Sequence, residues 1–348
     1  SALDPVLQGR MASRLDAAFD ATTEQRLHPG PLSLPAVVDR MREMELFGAS
    51  PLETFAECPY RWFVGHELDP KRIDPDEEAL TSGSVAHEVL ERLYREPPSG
   101  ESRPTRETLD AWIERASALV AERGEERLPR NRPDTAATLR RVEGLVLAFL
   151  ADEAATDIAF TPDRELTEAR FGRDQKTVAL PLAEGTSIHG AIDRIDIGPS
   201  GEALVQDYKS SSKVDGGKGM LERGKLQLQL YMLAARELWG LELAGGLYRP
   251  LGGASDRKPK GLLRKELKDE LAPLGPRQND YLDDEAFEDA LEAARARAIQ
   301  ITDEIHAGDI GRRPINNRCP KYCSFQPICR RERALPEEEA SPEEEDEE

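Results

Sequence analysis

The sequence lacks any apolar run that approaches the roughly 20 residues of a membrane-spanning helix, so we expect no membrane partner. It also lacks a basic segment followed by an apolar one at its start, so we expect no secretion. Ser1 stands where an initiator Met would be, and we expect the chain to be a piece of a longer protein. No internal repeat is found. We therefore expect a globular, cytoplasmic protein.

Cysteine is scarce, with four in 348 residues. Because nothing indicates secretion, we expect free thiols rather than disulfides. Cys58 stands alone, whereas Cys319, Cys323 and Cys329 form a C-terminal trio. Four cysteines without a fifth match one four-thiolate site for zinc or an iron–sulfur cluster, and buried cysteines without a metal are the alternative. A site that joins Cys58 to the trio closes a loop of more than 250 residues, which stabilises a fold by roughly 5 kcal/mol on the chain-entropy account.

Acidic residues outnumber basic ones by 67 to 47, and the net charge of −20 argues against a simple nucleic-acid binder. Nine acidic residues lie in 337–348, and we expect residues 333–348 to form a disordered acidic tail. Residues 1–336 keep a net charge of −11. Basic residues cluster at 209–225, 257–260, 312–318 and 330–333. These clusters are either solvated loops and helix ends or parts of a groove that follows phosphates.

Apolar periodicity divides the chain into a helical part and a strand part. Spacings of three and four residues predict helices around 6–19, 36–44, 51–63, 82–94, 106–122 and 135–153. Ser50 is expected to cap the helix at 51–63. Alternation predicts strands at 166–170, 177–180, 187–197, 203–208 and 246–248, with helices at 226–239 and 285–306 and loops over 252–282. This order favours an α/β domain with a central mixed sheet.

The strongest chemical signal lies where a turn sequence at 198–201 joins two predicted strands. Asp207 and Lys209 are two apart in the second strand, so their side chains leave the same face of the sheet. Any short turn places Asp193 of the first strand opposite Gln206 or Asp207, to within one residue of register. Two carboxylates and one ammonium group therefore converge on one patch of sheet.

Two carboxylates so close repel each other unless a cation lies between them. Few oxygen ligands suit Mg²⁺ or Mn²⁺, which keep water in their remaining positions. Lys209 would orient an attacking water or stabilise the transition state, which completes the parts of phosphodiester hydrolysis. The alternative is that Asp207 and Lys209 form an ordinary surface salt bridge. The apolar strand around them argues against it, because buried charges are costly.

Two further patterns flank this hairpin. Gly83 and His87 open a helix before it, and Gln227 and Tyr231 lie four apart on one face of the helix after it. Together with G-x-x-D-R-x-D at 190–196 and D-x-K at 207–209, they occur in the order of RecB-like nucleases of the PD-(D/E)XK superfamily, which the chain resembles over about residues 48–332. The resemblance implies a restriction-endonuclease-like core, a central mixed sheet flanked by helices, with a helical insertion and an iron–sulfur clasp.

The resemblance also implies roles for individual residues. The implied metal ligands are His87, Asp193, Asp207 and the backbone carbonyl of Tyr208. Lys209 is implied as the catalytic lysine, with Gln227 and Tyr231 as supports near the DNA. From the residues alone, Asp196 is expected to be structural, Glu91 to be a surface residue and His87 to be an ordinary helix histidine.

The cysteine pattern resembles the iron–sulfur members of this family, which include AddB-type helicase-nucleases and nucleases of CRISPR adaptation. One distant cysteine, Cys58, precedes a C-terminal trio, and the resemblance implies a [4Fe–4S] cluster bound by all four cysteines. The trio departs from the family pattern, because three residues rather than two separate Cys319 from Cys323. This departure keeps Zn²⁺ as the alternative.

The resemblance implies a Mg²⁺- or Mn²⁺-dependent DNA nuclease, an exonuclease on single-stranded or unwound ends that acts in double-strand break repair beside a helicase. We expect a helical lead-in at residues 1–47, the nuclease domain with its clasp at 48–332 and the acidic tail at 333–348. The expected partners are DNA and a helicase, at the nucleoid. A stand-alone CRISPR-adaptation nuclease and a non-catalytic DNA-end scaffold are the alternatives. The intact Asp193, Asp207 and Lys209 argue against the scaffold.

Overall fold

The computed structural model of the protein describes residues 32–69, 77–127, 135–174, 176–253, 257–319 and 323–329. The helix predicted around residues 6–19 and the acidic tail predicted at 333–348 lie outside these ranges. The chain divides into two compact units, one of Glu45–Glu53 and Lys71–Gln300, the other of Ser1–Met44, Thr54–Pro70 and Ile301–Glu348. Along the described ranges, no helix combines the length and the apolar character needed to cross a membrane.

Helices dominate the first part of the described chain. They are α1 (Pro35–Arg42), α2 (Ala49–Glu57), α3 (Pro59–Trp62), a π-helix (Phe63–Glu67), α4 (Glu77–Arg95), α5 (Leu109–Arg127) and α6 (Thr135–Ala155). Later helices are α7 (Gln227–Trp239), α8 (Lys268–Leu271), α9 (Asp284–His306) and α10 (Gln326–Cys329). Short 3₁₀ turns lie at Lys218–Arg223, Lys265–Leu267, Ala272–Leu274, Gln278–Asp280 and Ile315–Asn317.

The strands lie in the larger unit and form an eight-stranded sheet in the described residues. They are β1 (Leu46–Gly48), β2 (Thr161–Phe171), β3 (Leu180–Ala183), β4 (Thr186–Ile197), β5 (Ala203–Lys209), β6 (Leu243–Pro250), β7 (Lys260–Arg264) and β8 (Tyr281–Leu282). Strand β4 is central because its two halves pair with different neighbours. The first half lies parallel to β1 and antiparallel to β3, and the second lies antiparallel to β2 and β5.

Beyond β5 the sheet continues through β6, β7 and β8 with parallel, antiparallel and parallel pairing. The parallel pair β5 and β6 is connected through α7, because parallel neighbours need a crossover rather than a tight turn. The mixed sheet that the sequence predicts is therefore confirmed.

Side chains alternate along β5, so Gln206 and Tyr208 leave the face of the sheet opposite to Asp207 and Lys209. On the Tyr208 side, helices α4, α5 and α6 form one apolar cluster that includes Tyr208 itself. On β6, a Cβ added to Gly246 would lie 3.0 Å from the side chains of Leu228 and Met232 of α7, so the helix packs closely there. Helices thus enclose the strand that carries the predicted site.

In the smaller unit, Cys58 lies between α2 and α3 in an extended conformation, with φ −169° and ψ 115°, and is buried. Trp62 packs edge to face on Phe55, with ring centroids 5.5 Å apart. At the end of α9, Nε2 of His306 lies 2.8 Å from the carbonyl oxygen of Met44. These contacts connect the end of α9 to the segment before β1.

Proline explains where the helix prediction for 51–63 is wrong. The helix begins at Ala49, so Ser50 lies inside it and does not cap it. It ends at Glu57, because a residue before proline disfavours the helical conformation and Cys58 precedes Pro59. Pro59 then starts α3, where a missing N–H has no helical partner to lose.

The strand predicted at 177–180 begins only at Leu180. Oδ1 of Asp174 accepts the backbone N–H groups of Lys176 and Thr177, both at 2.9 Å, and this turn overrides the strand preference of the residues after it. The segment 252–282, predicted as loops, contains β7 and β8, and β1 was not predicted. These strands are too short for alternation to reveal them.

Candidate active site

The β4–β5 hairpin brings the predicted carboxylates together. Arg194 pairs with Gln206 in the antiparallel register, which makes Asp193 and Asp207 the next neighbours on the two strands. The turn at 198–201 predicts this register to within one residue. Asp193 is 9% exposed and Asp207 3%, so both carboxylates are largely removed from water.

Both oxygens of Asp193 have partners. Oδ1 lies 3.0 Å from Nδ1 of His87 on α4, and Oδ2 accepts the backbone N–H of Tyr208 at 2.6 Å. Burial disfavours a charged imidazole, but the charge of Asp193 outweighs that effect and the pKa of His87 is raised. Three residues of the predicted ligand set are therefore in contact, although Tyr208 contacts Asp193 through its N–H and not its carbonyl.

A chain of polar contacts runs from Asp207 to Tyr231. Nζ of Lys209 lies 2.6 Å from Oδ2 of Asp207 and donates to Oε1 of Gln227 at 2.7 Å. Nε2 of Gln227 donates to the hydroxyl of Tyr231 at 3.0 Å. Gln227 and Tyr231 occupy successive turns of α7, as their spacing of four predicts. The four predicted residues are thus connected side chain to side chain.

Burial and like charge act together on Asp207. Its pKa is raised to about 6 because the carboxyl is desolvated and faces the charge of Asp193, although Lys209 opposes the rise. Burial also works against the ammonium of Lys209, but Asp207, Glu53 and Asp193 raise the pKa of that group. One ammonium thus compensates the two carboxylates incompletely, and a further cation would favour their ionised form.

The predicted site residues line a cleft of about 520 Å³ in the larger unit; they are His87, Asp193, Asp207, Tyr208, Lys209, Gln227 and Tyr231. Its wall also contains residues that the sequence motifs did not predict for the site, among them Ser50, Glu88, Glu91, Glu168, Arg170 and Arg173. Glu91, expected to be a surface residue, is partly exposed, lies 2.8 Å from Arg95 and forms part of the cleft wall.

Glu168 is a cleft residue that the sequence motifs did not predict. Its strand neighbours in β2 pair with the neighbours of Asp193 in β4, so the two carboxylates stand side by side. Burial raises the pKa of Glu168, and the charges of Asp193 and Glu91 raise it further. Its φ of 50° is uncommon for a residue other than glycine. A predicted pairing of β2 with β4 would have identified it.

Close packing explains the first glycine of two predicted patterns. A Cβ on Gly83 would lie 2.8 Å from the hydroxyl of Ser210, just after Lys209. A Cβ on Gly190 would lie 2.8 Å from the rings of both Phe171 and Tyr231. Gly190 therefore has no room for a side chain, whereas a side chain at Gly83 would require the Ser210 hydroxyl to rotate away.

A second network of charges is buried on the other face of β4 and β5. Glu153 of α6 accepts from Arg194 at 2.9 Å and from Arg249 at 2.6 Å, and Arg194 also donates to Asp196 at 2.9 Å. Burial opposes the charge of Glu153, but the two guanidinium groups hold its pKa well below the usual range. Asp196 therefore has the structural surroundings that the sequence predicts.

The chemistry of the donors fits a divalent cation. In the described residues, no group of three or more His, Cys, Asp or Glu side chains is arranged to hold a metal ion, and His87 and Asp193 contact each other instead. The two buried carboxylates of Asp193 and Asp207 nevertheless offer oxygen ligands of the kind that suits Mg²⁺ or Mn²⁺, and the single ammonium of Lys209 leaves part of their negative charge uncompensated. The fit rests on charge and donor type.

The four cysteines all lie in described residues of the smaller unit, and none of them forms a disulfide. Burial raises the pKa of the Cys58 thiol, and the charges of Cys329 and Cys319 raise it further. The pKa of Tyr60 is raised by burial first and then by charges that include those of Cys329, Cys58 and Cys323. The four cysteines therefore all lie near the segment that contains Cys58 and Tyr60. Their donor type fits a four-thiolate site, although no three described cysteines are arranged around a metal position.

A profile of the family described as the PD-(D/E)XK nuclease superfamily matches residues 47–330. An ATP-dependent helicase/deoxyribonuclease subunit of Thermoanaerobacter sp. is 24% identical over 300 residues, which cover 82% of this chain and 24% of that protein. The protein of the same name from Caldanaerobacter subterraneus subsp. tengcongensis is 24% identical over 277 residues, 74% of this chain and 22% of that protein. The chain thus spans about a quarter of the length of these relatives.

Proposed function

Because the chain belongs to the PD-(D/E)XK nuclease superfamily, we propose that it is a metal-dependent deoxyribonuclease that hydrolyses phosphodiester bonds. The observation that carries this proposal is the meeting of Asp193, Asp207 and Lys209 in one cleft. A metal-dependent nuclease needs negative oxygens to hold the metal and gains from a positive group near the reacting phosphate. The hairpin supplies both from residues that its register brings side by side.

Mg²⁺ or Mn²⁺ bound here would lower the pKa of a bound water and neutralise charge on the phosphate. Asp193 and Asp207 would hold it, with His87 and the carbonyl of Tyr208 as the further proposed ligands. The raised pKa of Asp207 supports this assignment, because a buried carboxylate of that kind gains from an added positive charge.

Lys209 has the position expected of a catalytic lysine. Its side chain is 33% exposed and its ammonium contacts Asp207 and Gln227, so it faces the cleft while held on two sides. The charges around it raise its pKa, which keeps it protonated at neutral pH. A protonated Lys209 would stabilise negative charge on the phosphate, and Gln227 and Tyr231 would hold it in place.

The relatives are the reason to propose DNA as the substrate and a helicase as the partner, because their name contains both helicase and deoxyribonuclease. Because this chain matches about a quarter of their length, we propose that it is the nuclease part of a helicase-nuclease or acts beside a helicase. Single-stranded or unwound DNA ends would then be the substrate, cut exonucleolytically during double-strand break repair. The basic residues Arg170 and Arg173 on the cleft wall support a phosphate-bearing substrate.

The cysteines are proposed to hold a [4Fe–4S] cluster, with Zn²⁺ as the alternative. The neighbourhood of Cys58 supports this proposal, because Cys329 and Cys319 lie close enough to act on its thiol and thiolate sulfurs are the ligands of zinc and iron–sulfur sites. The cluster would be structural, since it would join residue 58 to residues 319–329.

The test is degradation of end-labelled single-stranded DNA by anaerobically purified protein, with and without Mg²⁺ or Mn²⁺. We expect the parent to cleave and Asp207→Ala and Lys209→Ala each to lose at least about 100-fold in rate. Lys265→Ala is the matched control, because Lys265 is exposed, does not line the cleft and lies outside the basic clusters. It should cleave like the parent.

A folded, metal-supplied parent that binds DNA ends without cutting them would overturn the nuclease proposal and favour the scaffold. Product lengths from a long labelled strand distinguish the finer points. Mononucleotides and short products released from one end support an exonuclease, whereas internal cuts in circular single-stranded DNA contradict it.

A further inference from the structure

Helix α7, which carries Gln227, begins without a side-chain cap from its own sequence. The first N–H groups of a helix have no partner within it and need an outside acceptor. Glu53 of α2 provides that acceptor, since its Oε1 accepts the backbone N–H groups of Leu226 at 2.7 Å and of Gln227 at 2.8 Å. A carboxylate at this end also suits the positive end of the helix dipole.

The carboxylate of Glu53 also contacts Tyr248, a second residue beside the ammonium of Lys209. The hydroxyl of Tyr248 donates to Oε1 of Glu53 at 3.4 Å, and Nζ of Lys209 lies 4.9 Å from the centre of the Tyr248 ring. Gln227, whose backbone binds Glu53, accepts from Lys209 through its side chain at 2.7 Å. Two of the groups that contact the ammonium of Lys209 are thus each attached to Glu53.

We propose that Glu53 is a positioning residue for Lys209, acting by holding the first turn of α7 and the Tyr248 hydroxyl in place. Glu53 contacts neither Asp193 nor Asp207 in the hydrogen bonds and ion pairs of the described residues, so its contacts reach Lys209 through Gln227 and Tyr248, while its charge also helps to raise the pKa of Lys209. The kinetic consequence rests on the proposed nuclease function, whereas the cap itself does not.

The first experiment compares Glu53→Ala and Glu53→Gln with the parent in the DNA degradation assay. Glu53→Ala should lower kcat between about 10- and 100-fold, because a displacement of about 1 Å in a catalytic group has effects of that size. KM for DNA and the Mg²⁺ concentration that gives half-maximal rate should stay unchanged. Glu53→Gln keeps an acceptor oxygen and should retain more activity. Glu57→Gln, one turn further along α2 and paired with Arg61, is the matched control.

Adding Glu53→Ala to a protein that lacks both intermediate groups separates positioning from a general loss of structure. Because Glu53 acts through Gln227 and Tyr248, adding Glu53→Ala to a protein with Gln227→Ala and Tyr248→Phe should change kcat less than about 2-fold, since interacting residues are not additive. An equal loss of kcat in the parent and in the background with both changes overturns the inference.

Hydrogen exchange tests the cap without relying on activity. The amides of residues 226 and 227 should exchange faster in Glu53→Ala than in the parent. If the parent does not cleave DNA, the proposed function fails. The exchange result still shows whether Glu53 caps helix α7. Unchanged exchange at these amides, or an unchanged kcat in an active Glu53→Ala protein, overturns the role given to Glu53.

Discussion

Gly190 sets how closely two aromatic rings approach the strand that carries Asp193. Phe171 and Tyr231 pack edge to face with ring centroids 5.9 Å apart, and both lie where a Cβ on Gly190 would be. Because Tyr231 accepts from Gln227, a shift of its ring would be transmitted to the partner of Lys209. The absence of a side chain at one position therefore fixes the placement of several others.

Gly190→Ala should lower the free energy of unfolding by about 1–3 kcal/mol, since a methyl group would overlap two packed rings. It should also lower kcat. Gly144→Ala is the matched control, because Gly144 lies inside helix α6 and a Cβ there meets nothing within 4 Å. That change should raise stability by up to about 1 kcal/mol. Urea denaturation of both variants checks this, and a Gly190→Ala protein as stable as the parent contradicts it.

At the scale of elements, Glu153 holds a helix against two strands. It accepts from Arg194 on β4 and Arg249 on β6, while Arg249 donates to Gln206 on β5 at 2.6 Å. Glu153 is 1% exposed, so its charge has little access to water. Its removal would leave two buried guanidinium groups without their shared partner.

Glu153→Gln should lower the free energy of unfolding at pH 7 by about 3–5 kcal/mol, the usual effect of breaking a buried ion pair. The folded protein lowers the pKa of Glu153, so this stability is complete above the ordinary glutamate pKa of about 4.3 and is lost as pH falls below it. The difference between parent and variant should therefore shrink between pH 5 and pH 3. Denaturant titrations at several pH values measure it.

Asp152→Asn serves as the control for this change. Asp152 is the preceding residue of the same helix, is half exposed and lies 2.7 Å from Arg257. A pair of that exposure contributes at most about 1 kcal/mol. Equal effects of the two variants at pH 7, or a Glu153→Gln deficit as large at pH 3 as at pH 7, would contradict the buried network.

The local sequence pattern predicts helices and strands with regular apolar spacing. It does not predict contacts between residues that are far apart in the sequence. The alternation of Asp207 and Lys209 and the turn at 198–201 suffice to predict the hairpin, and its register to within one residue. The capping contact of Glu53 and the cleft position of Glu168 could not be predicted in this way. Glu53 acts on residues 173 and 174 positions away, and Glu168 depends on the pairing of β2 with β4.

At the scale of the whole molecule, the proposed cluster would connect residues that are distant in sequence. Cys58→Ser should remove the iron absorption of anaerobically purified protein and lower the midpoint of thermal unfolding, because a loop closure of this length is worth roughly 5 kcal/mol. Ser324→Ala, beside Cys323, is the control and should keep both properties. Iron and zinc analysis of the parent decides the metal, and a metal-free parent with the same midpoint as Cys58→Ser contradicts the clasp.

The acidic residues 337–348 give a second prediction at this scale, although they lie outside the described residues. If they compete with DNA for the basic clusters, truncation after Leu335 should tighten DNA binding at low salt. The gain should vanish at high salt, where exposed charges are screened. Fluorescence anisotropy with labelled single-stranded DNA measures this affinity. Equal affinity of the full and the truncated chain at low salt would contradict the prediction.

The opposite faces of β5 have a consequence for misfolding. A slip of one residue along β5 would exchange the two faces, which would turn Gln206 and Tyr208 toward the cleft and Asp207 and Lys209 toward the apolar cluster of the helices. Such a chain would bury an ammonium group among aromatic and aliphatic side chains and leave Glu153 and its arginines without Gln206, at a high free-energy cost. The arrangement that assembles the cleft is thus also the one that satisfies the buried charges. Errors in strand pairing should therefore yield unstable chains open to proteolysis, and not stable proteins with a defective site.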